Sequence, residues 1–173
     1  MAMSHYDSHN AGVEWATPSW IYRPLKDALN GFDLDPASGA EQTLIADHTY
    51  TKQENGLAQE WFGNVWVNPP YGSEHNEDWA KKVSAEIHNT KTITALVPAS
   101  TDTQWFQNHY AHAEYLTFID GRVNFNGEGP ASFPSVICSF GEFNAGYVQA
   151  LSTLGFVTEP QTEQTQTPMK KYL

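Results

Sequence analysis

The stretch 65-VWVNPPYG-72 decides how this chain is read. Val65, Trp66 and Val67 form a short apolar run without a polar face, as in a strand covered on both sides. The run stops at Asn68. Pro69 and Pro70 follow, with no N–H for a sheet ladder and with φ held by their rings. A proline after Asn68 also pushes that residue toward an extended backbone. The segment therefore reads as a buried strand running into a stiff corner, with Asn68 and the aromatic Tyr71 presented at its tip.

Such a corner holds the Asn68 side-chain oxygen and the carbonyl of Pro69 side by side. Two close acceptors suit an NH₂ group with two hydrogens to give, and Tyr71 offers a flat surface for a planar ligand. An exocyclic or amide NH₂ is a poor nucleophile because its lone pair is delocalised. Accepting both hydrogens stabilises the charge that develops as the nitrogen attacks an electrophile. The bland alternative is a rigid loop after a strand with Tyr71 as packing.

Outward from this corner, strands and helices alternate. Residues 19–29 have a helical pattern, with Trp20, Leu25, Ala28 and Leu29 available for an inward face and Pro24 interrupting the helix or marking its first turn. Residues 32–34 read as a strand entering a turn at Asp35-Pro36, and residues 40–46 as a short helix. A helix over 79–88 carries Ala80, Val83 and Ile87 on one stripe. ITALV (93–97) is a buried strand, and Asp102 is the expected N-cap of a helix over 103–110. YLTFI (115–119) and SVICSF (135–140) are strands flanking a glycine-rich loop, and residues 146–154 form a last helix. This alternation predicts an α/β fold with a mostly parallel sheet and helices on both faces. Ligands of such sheets bind beyond the carboxyl ends of the strands, where both 35-DPAS-38 and 68-NPPY-71 fall.

Composition bounds the possibilities. The chain has 173 residues, 40% of them hydrophobic, with six Trp, eight Tyr and nine Phe. That is the make-up of a single globular domain, expected over 13–157 between a flexible 1–12 and a disordered Gln/Thr-rich tail, 158–173. Apolar runs reach only about five residues, far below the roughly 20 of a membrane span, and no secretory signal is visible. With a lone Cys138, read as a small buried residue, the expected setting is the cytoplasm. Nine Lys+Arg against twenty Asp+Glu give a formal charge of −11 at pH 7, the wrong sign for gripping phosphates over a broad face. Any nucleic-acid contact must be local. Arg122 beside the glycine-rich loop is the candidate, whereas Lys81-Lys82 read as a solvated helix face. His109 and His112 lack a third ligand in spacing, so no metal site is expected.

Taken in order, EWATP (14–18), FDLDPAS (32–38), ENGLAQEW (54–61), VWVNPPYG (65–72), LVPASTDTQWF (96–106), GRVNF (121–125) and SFPSVICSF (132–140) resemble the phage-type DNA N6-adenine methyltransferase (Dam) family. The resemblance implies a Rossmann-like methyltransferase fold that uses S-adenosylmethionine and acts as a monomer on double-stranded DNA with the target adenine flipped out. It implies catalytic roles for Asn68, Pro69, Pro70 and Tyr71. Thr17 and Pro18 would hold the methionine end of the cofactor, and Asp35, Pro36, Ala37 and Ser38 would form the cofactor loop, with Asp35 meeting the cationic amino group. Structural roles stand beside these: Thr17 as a helix cap, Asp35 as an Asx turn. Where the family reads Asp-Gly-Leu, this chain has Asn55-Gly56-Leu57, and Asn55 remains a candidate for an adenine edge. Glu54 and Asp47 are candidates for the cofactor ribose. The corner also suits amide-nitrogen methylation of protein glutamine or methylation of an RNA base, and an inactive binding or decoy protein is the non-enzymatic alternative.

Overall fold

The computed structural model describes residues 16–39, 45–72, 74–125, 127 and 129–158. Residues 1–12, most of the expected helix over 40–46 and the tail beyond 158 lie outside them. The elements follow as α1 (Ser19–Ala28), β1 (Leu34–Asp35), β2 (His48–Thr49), β3 (Asn64–Val67), α2 (Asn76–Glu86), β4 (Thr92–Pro98) and α3 (Gln104–Asn108). After a 3-10 turn at Tyr110–His112 come β5 (Tyr115–Ile119), β6 (Ser135–Gly141), α4 (Ala145–Leu154) and β7 (Gly155–Val157).

All seven strands join one sheet in the order β2-β1-β3-β4-β6-β5-β7. The first four pair in parallel, Leu34 with His48 and Val65, and Val65 with Ile93. The sheet is then mixed, because β6 runs antiparallel to both neighbours and β7 antiparallel to β5. Consequently β1, β3, β4 and β5 all end at one rim, and β6 begins there, with Ser135 opposite Pro98.

Strands β3, β4 and most of β6 are buried on both faces, which explains their unbroken apolar runs. On one face Ile21, Tyr22 and Leu25 of α1 and Tyr147, Leu151 and Leu154 of α4 pack over Trp66, Leu96 and Ile137. On the other, Trp79, Ala80 and Val83 of α2 and Phe106 of α3 cover Val65, Val67, Ile93, Ala95 and Val97. The expected layering is present. Tyr147 also satisfies two buried hydroxyls on the first face, Thr94 at 2.8 Å and Ser139 at 2.9 Å.

Several expectations are corrected. Pro24 lies inside α1 without ending it. Trp20 is 51% exposed, since the buried stripe runs through Ile21, Tyr22 and Leu25 and leaves Trp20 to one side. β1 begins only at Leu34; Asp33 before it bonds Asn64 twice, by its N–H to the carbonyl at 2.7 Å and by its carboxylate, which accepts the Asn64 N–H at 2.6 Å. The cap of α3 is Thr103, which is extended in its backbone and whose hydroxyl accepts the Phe106 N–H, and not Asp102. The two-residue β2 and three-residue β7 were not expected from sequence. Cys138 is buried as read, and burial pushes its thiol well above the usual range.

Candidate active site

The corner after β3 stands at the carboxyl rim, on the face shared with Trp66. Asn68 is half-buried, Pro69 buried and Pro70 exposed. The Asn68 amide is held on both sides. Its Nδ2 donates to Thr17 Oγ1 at 3.1 Å, and its Oδ1 accepts from the Tyr71 hydroxyl at 2.5 Å. Tyr71 also lies 3.3 Å from the carbonyl of Leu96 in β4. Burial, and secondarily the phenol of Tyr110, pushes the Tyr71 hydroxyl well above its ordinary pKa, so it remains a neutral donor.

The ring of Tyr71 is not a free plate. Phe125 and Phe133 meet it edge to face, at centroid distances of 5.8 and 5.3 Å. Both come from the loop between β5 and β6, whose Val123 is also fully buried. The loop folds back on itself through Ala131 N–H to the Val123 carbonyl (2.8 Å), and Ala99 N–H donates to the Pro134 carbonyl (2.9 Å). The signal for this collar is two aromatic residues in an otherwise Gly- and polar-rich loop; sequence reasoning passed over it. Arg122, at the start of the loop, is exposed.

The second cluster lies beyond β1. Asp35 is 3% exposed. Its Oδ1 accepts from Ala37 N–H at 3.1 Å, so the Asx turn is present. Burial pushes the carboxyl up to about 7, and that one N–H offsets only part of the effect. Among the described residues the ion pairs are those of Lys81 with Glu77 and Lys82 with Glu86, so no cation pairs with Asp35 there. Tyr50, just past β2, fixes the loop by donating its N–H to the Asp35 carbonyl (2.9 Å) and accepting that of Ser38 (3.2 Å). Pro36 and Ser38 are buried and Ala37 is half-buried.

Asn55 is exposed and left-handed, φ 54°, in a turn closed by its N–H to the Thr51 carbonyl. Its neighbour Gly56 lies against Pro36: a Cβ there would stand 2.0 Å from the Pro36 carbonyl oxygen. Asn55 is thereby placed beside the Asp35–Ser38 loop. Gly56→Ala should cost about 1–3 kcal/mol, the usual penalty of overpacking against backbone. Urea denaturation would show this as a lowered midpoint; an unchanged midpoint would mean the loop moves freely.

Other candidates have local roles. Thr17 makes no cap, because α1 is preceded by Pro18 with no side-chain cap bond. Glu54 accepts from the N–H and hydroxyl of Thr51 at 2.8 and 2.9 Å, while Asp47 is exposed just before β2. Lys82 is not a solvated side chain: it contacts Glu86, donates to the Gln59 carbonyl at 2.6 Å and lies over the Trp61 ring. His109 pairs with Ser84 at 2.7 Å, and no metal-holding cluster occurs among the described residues. Among them, too, no helix is long and apolar enough to cross a membrane.

A doubly covered α/β sheet with β6 reversed at one end, and an Asn-Pro-Pro-Tyr corner at its carboxyl rim, defines a Rossmann-like methyltransferase fold. The sequence pattern of the DNA N-6-adenine-methyltransferase (Dam) family matches residues 6–146, and the chain belongs to that family. The DNA N-6-adenine-methyltransferase of Escherichia phage T1 is 28% identical over 163 residues, covering 78% of this chain. The chain spans 65% of that relative's length. The resemblance read from the ordered motifs is thereby borne out.

Proposed function

We propose that this protein transfers a methyl group from S-adenosylmethionine to the N6 amino group of adenine in DNA. The observation that carries the reading is the Asn68 amide, held at the rim with its oxygen turned toward Tyr71 and close to the base of the Phe125–Phe133 collar. The cofactor suits the second cluster: a buried carboxylate without a cationic partner among the described residues matches a ligand carrying an ammonium group. Asp35 would hold that group, with Pro36, Ala37 and Ser38 shaping the loop, Thr17 and Pro18 bordering it and Asn55 beside it. When bound, S-adenosylmethionine supplies an electrophilic sulfonium methyl.

The chain's own part is to prepare the nucleophile. The Asn68 oxygen and the Pro69 carbonyl accept the two amino hydrogens, drawing the nitrogen lone pair out of the ring system. The new N–C bond would form as the methyl–sulfur bond breaks and leaves a neutral thioether, and one of those hydrogens then leaves as a proton to solvent. For the flipped base to stack on its ring, Tyr71 gives up its bond to Asn68 and its edge contacts with Phe125 and Phe133, against about 1–3 kcal/mol for an aromatic–base stack. The phage origin of the relative suits protection of DNA from restriction, a role reached by analogy.

Transfer of tritiated methyl groups to DNA, RNA and protein, tested side by side, decides the substrate. Label appearing only in RNA or in glutamine side chains would overturn the DNA reading, and failure to bind cofactor in calorimetry would favour the decoy. For so acidic a chain, DNA contact should rely on the loop over 121–134. Arg122→Ala should lower DNA methylation several-fold and reduce the salt slope by about one, with cofactor affinity unchanged. Equal losses in both would make Arg122 a structural residue.

A further inference from the structure

Among the described residues, the buried side-chain oxygens without a hydrogen-bond partner are the hydroxyls of Tyr110, Thr117 and Ser135. Native folds rarely leave such a group unsatisfied, so each calls for a reason. Tyr110 packs on the face covered by α2 and α3, opposite to that of Trp66. Thr117 lies inside the sheet, paired with Ile137 and Val157. Ser135 alone of these stands at the carboxyl rim, where β6 begins opposite Pro98, and it is 1% exposed. Alternation along β6 puts Ser135, Ile137 and Ser139 on one face. That is the face of the candidate site, because Ile137 packs with Trp66 and Leu96. Phe133, two residues before Ser135, meets the ring of Tyr71 at 5.3 Å. The hydroxyl thus lies at the foot of the aromatic collar, two strands from β3 and roughly 10 Å across the sheet.

We infer that Ser135 is a substrate-contacting residue, whose hydroxyl donates a hydrogen bond to a ring nitrogen of the flipped adenine. The inference rests on the methyltransferase reading and deepens it. With its amino group on Asn68 and its ring stacked at Tyr71, the base extends across the sheet toward β6. N1, N3 and N7 of adenine are all acceptors, and the side chains of Phe125 and Phe133 at that end carry no donor. A serine hydroxyl supplies one. Kept without a protein partner in the free chain, it costs stability that the arriving base restores. A base that lacks the matching ring nitrogen leaves the hydroxyl unsatisfied and is disfavoured for that reason.

The test measures single-turnover methylation at saturating cofactor and limiting DNA. The substrates are an oligonucleotide that the parent methylates and versions with carbon replacing N1, N3 or N7 of the target adenine. Ser135→Ala should slow methylation of the unmodified DNA about tenfold, the effect of one neutral hydrogen bond. One of the carbon replacements should slow the parent to a similar extent, and on that DNA the alanine variant should show no further loss. Because alanine removes a buried hydroxyl that has no partner among the described residues, the urea midpoint should hold or rise. An alanine variant as fast as the parent on unmodified DNA would overturn the inference. So would a loss of equal size on every DNA, or a loss accompanied by a lowered midpoint, which would make the hydroxyl structural. A parent protein that transfers no methyl group to DNA would overturn the methyltransferase reading itself, and the inference with it.

Discussion

Replacing Asn68 by alanine is expected to slow single-turnover methylation of adenine-containing DNA about a hundredfold or more, a loss of roughly 2.7–4 kcal/mol for one polarising group. The expectation follows from the position of the amide. Asn68 is half-buried at the rim, and its oxygen is already engaged by a donor, the Tyr71 hydroxyl, where an amino group would donate. Alanine removes that acceptor but leaves Pro69 and Pro70 to hold the corner, so the fold should persist and cofactor affinity should change little. Asn68→Asp retains an acceptor and should keep part of the rate. An alanine variant as fast as the parent would remove Asn68 from the chemistry and favour the binding-protein alternative.

A comparable effect is expected at Asp35, here on the cofactor. Burial holds its carboxyl at about 7 against 3.8 for a free one. The folded state therefore binds this proton more tightly than the unfolded chain does. Stability without ligand is accordingly lost as pH rises from about 4 through about 7, and Asp35→Asn should restore on the order of 2–4 kcal/mol at pH 8. An ammonium ligand favours the ionised form, so binding expels the proton and affinity should weaken as pH falls through 7. Asp35→Asn should lower affinity about a hundredfold at pH 8 and flatten that pH dependence, since it loses a charge-assisted bond. Calorimetry across pH 6–8 on both proteins, with thermal denaturation alongside, checks each part. An affinity independent of pH in the parent would mean that Asp35 does not face the ligand's charge.

What the sequence made legible, and what it did not, follows from how far each signal reaches along the chain. Val65, Trp66 and Val67, stopped by two prolines, announce both a buried strand and its corner. ITALV, YLTFI and SVICSF announce themselves equally well. Yet SVICSF reads the same in either direction when both its faces are buried, so the reversal of β6 was hidden. His48–Thr49 is too short to show a period; it is a strand because the backbone of Leu34 and Asp35 pairs with it. β7 carries a 73% exposed Phe156 and starts at Gly155, where a Cβ would stand 1.9 Å from the Phe118 carbonyl oxygen. Its cue is close backbone approach, which no hydrophobic pattern records. At the candidate site, Asn68, Tyr71 and Asp35 were visible because prolines and turns mark them locally. The contacts that orient them were not: Thr17 reaches Asn68, and Phe125 and Phe133 reach Tyr71, across long stretches of chain.

The reversal of β6 has a consequence for how such a protein diversifies. Because β5 ends and β6 begins at the same rim, residues 120–134 leave and re-enter the sheet on the side where the candidate site lies. Both ends of that segment are pinned by the β5–β6 ladder, and Val123, Phe125 and Phe133 anchor it further in the core beside Trp66 and Leu96. Doubling the length of such a loop costs only about 0.6 kcal/mol of closure entropy. New residues can thus be grafted between those anchors, at the exposed positions of the loop, while the anchors keep their places. The strand pair acts as a cassette frame, in which the surface beside the candidate site is free to change while the Asn68–Tyr71 corner stays constant.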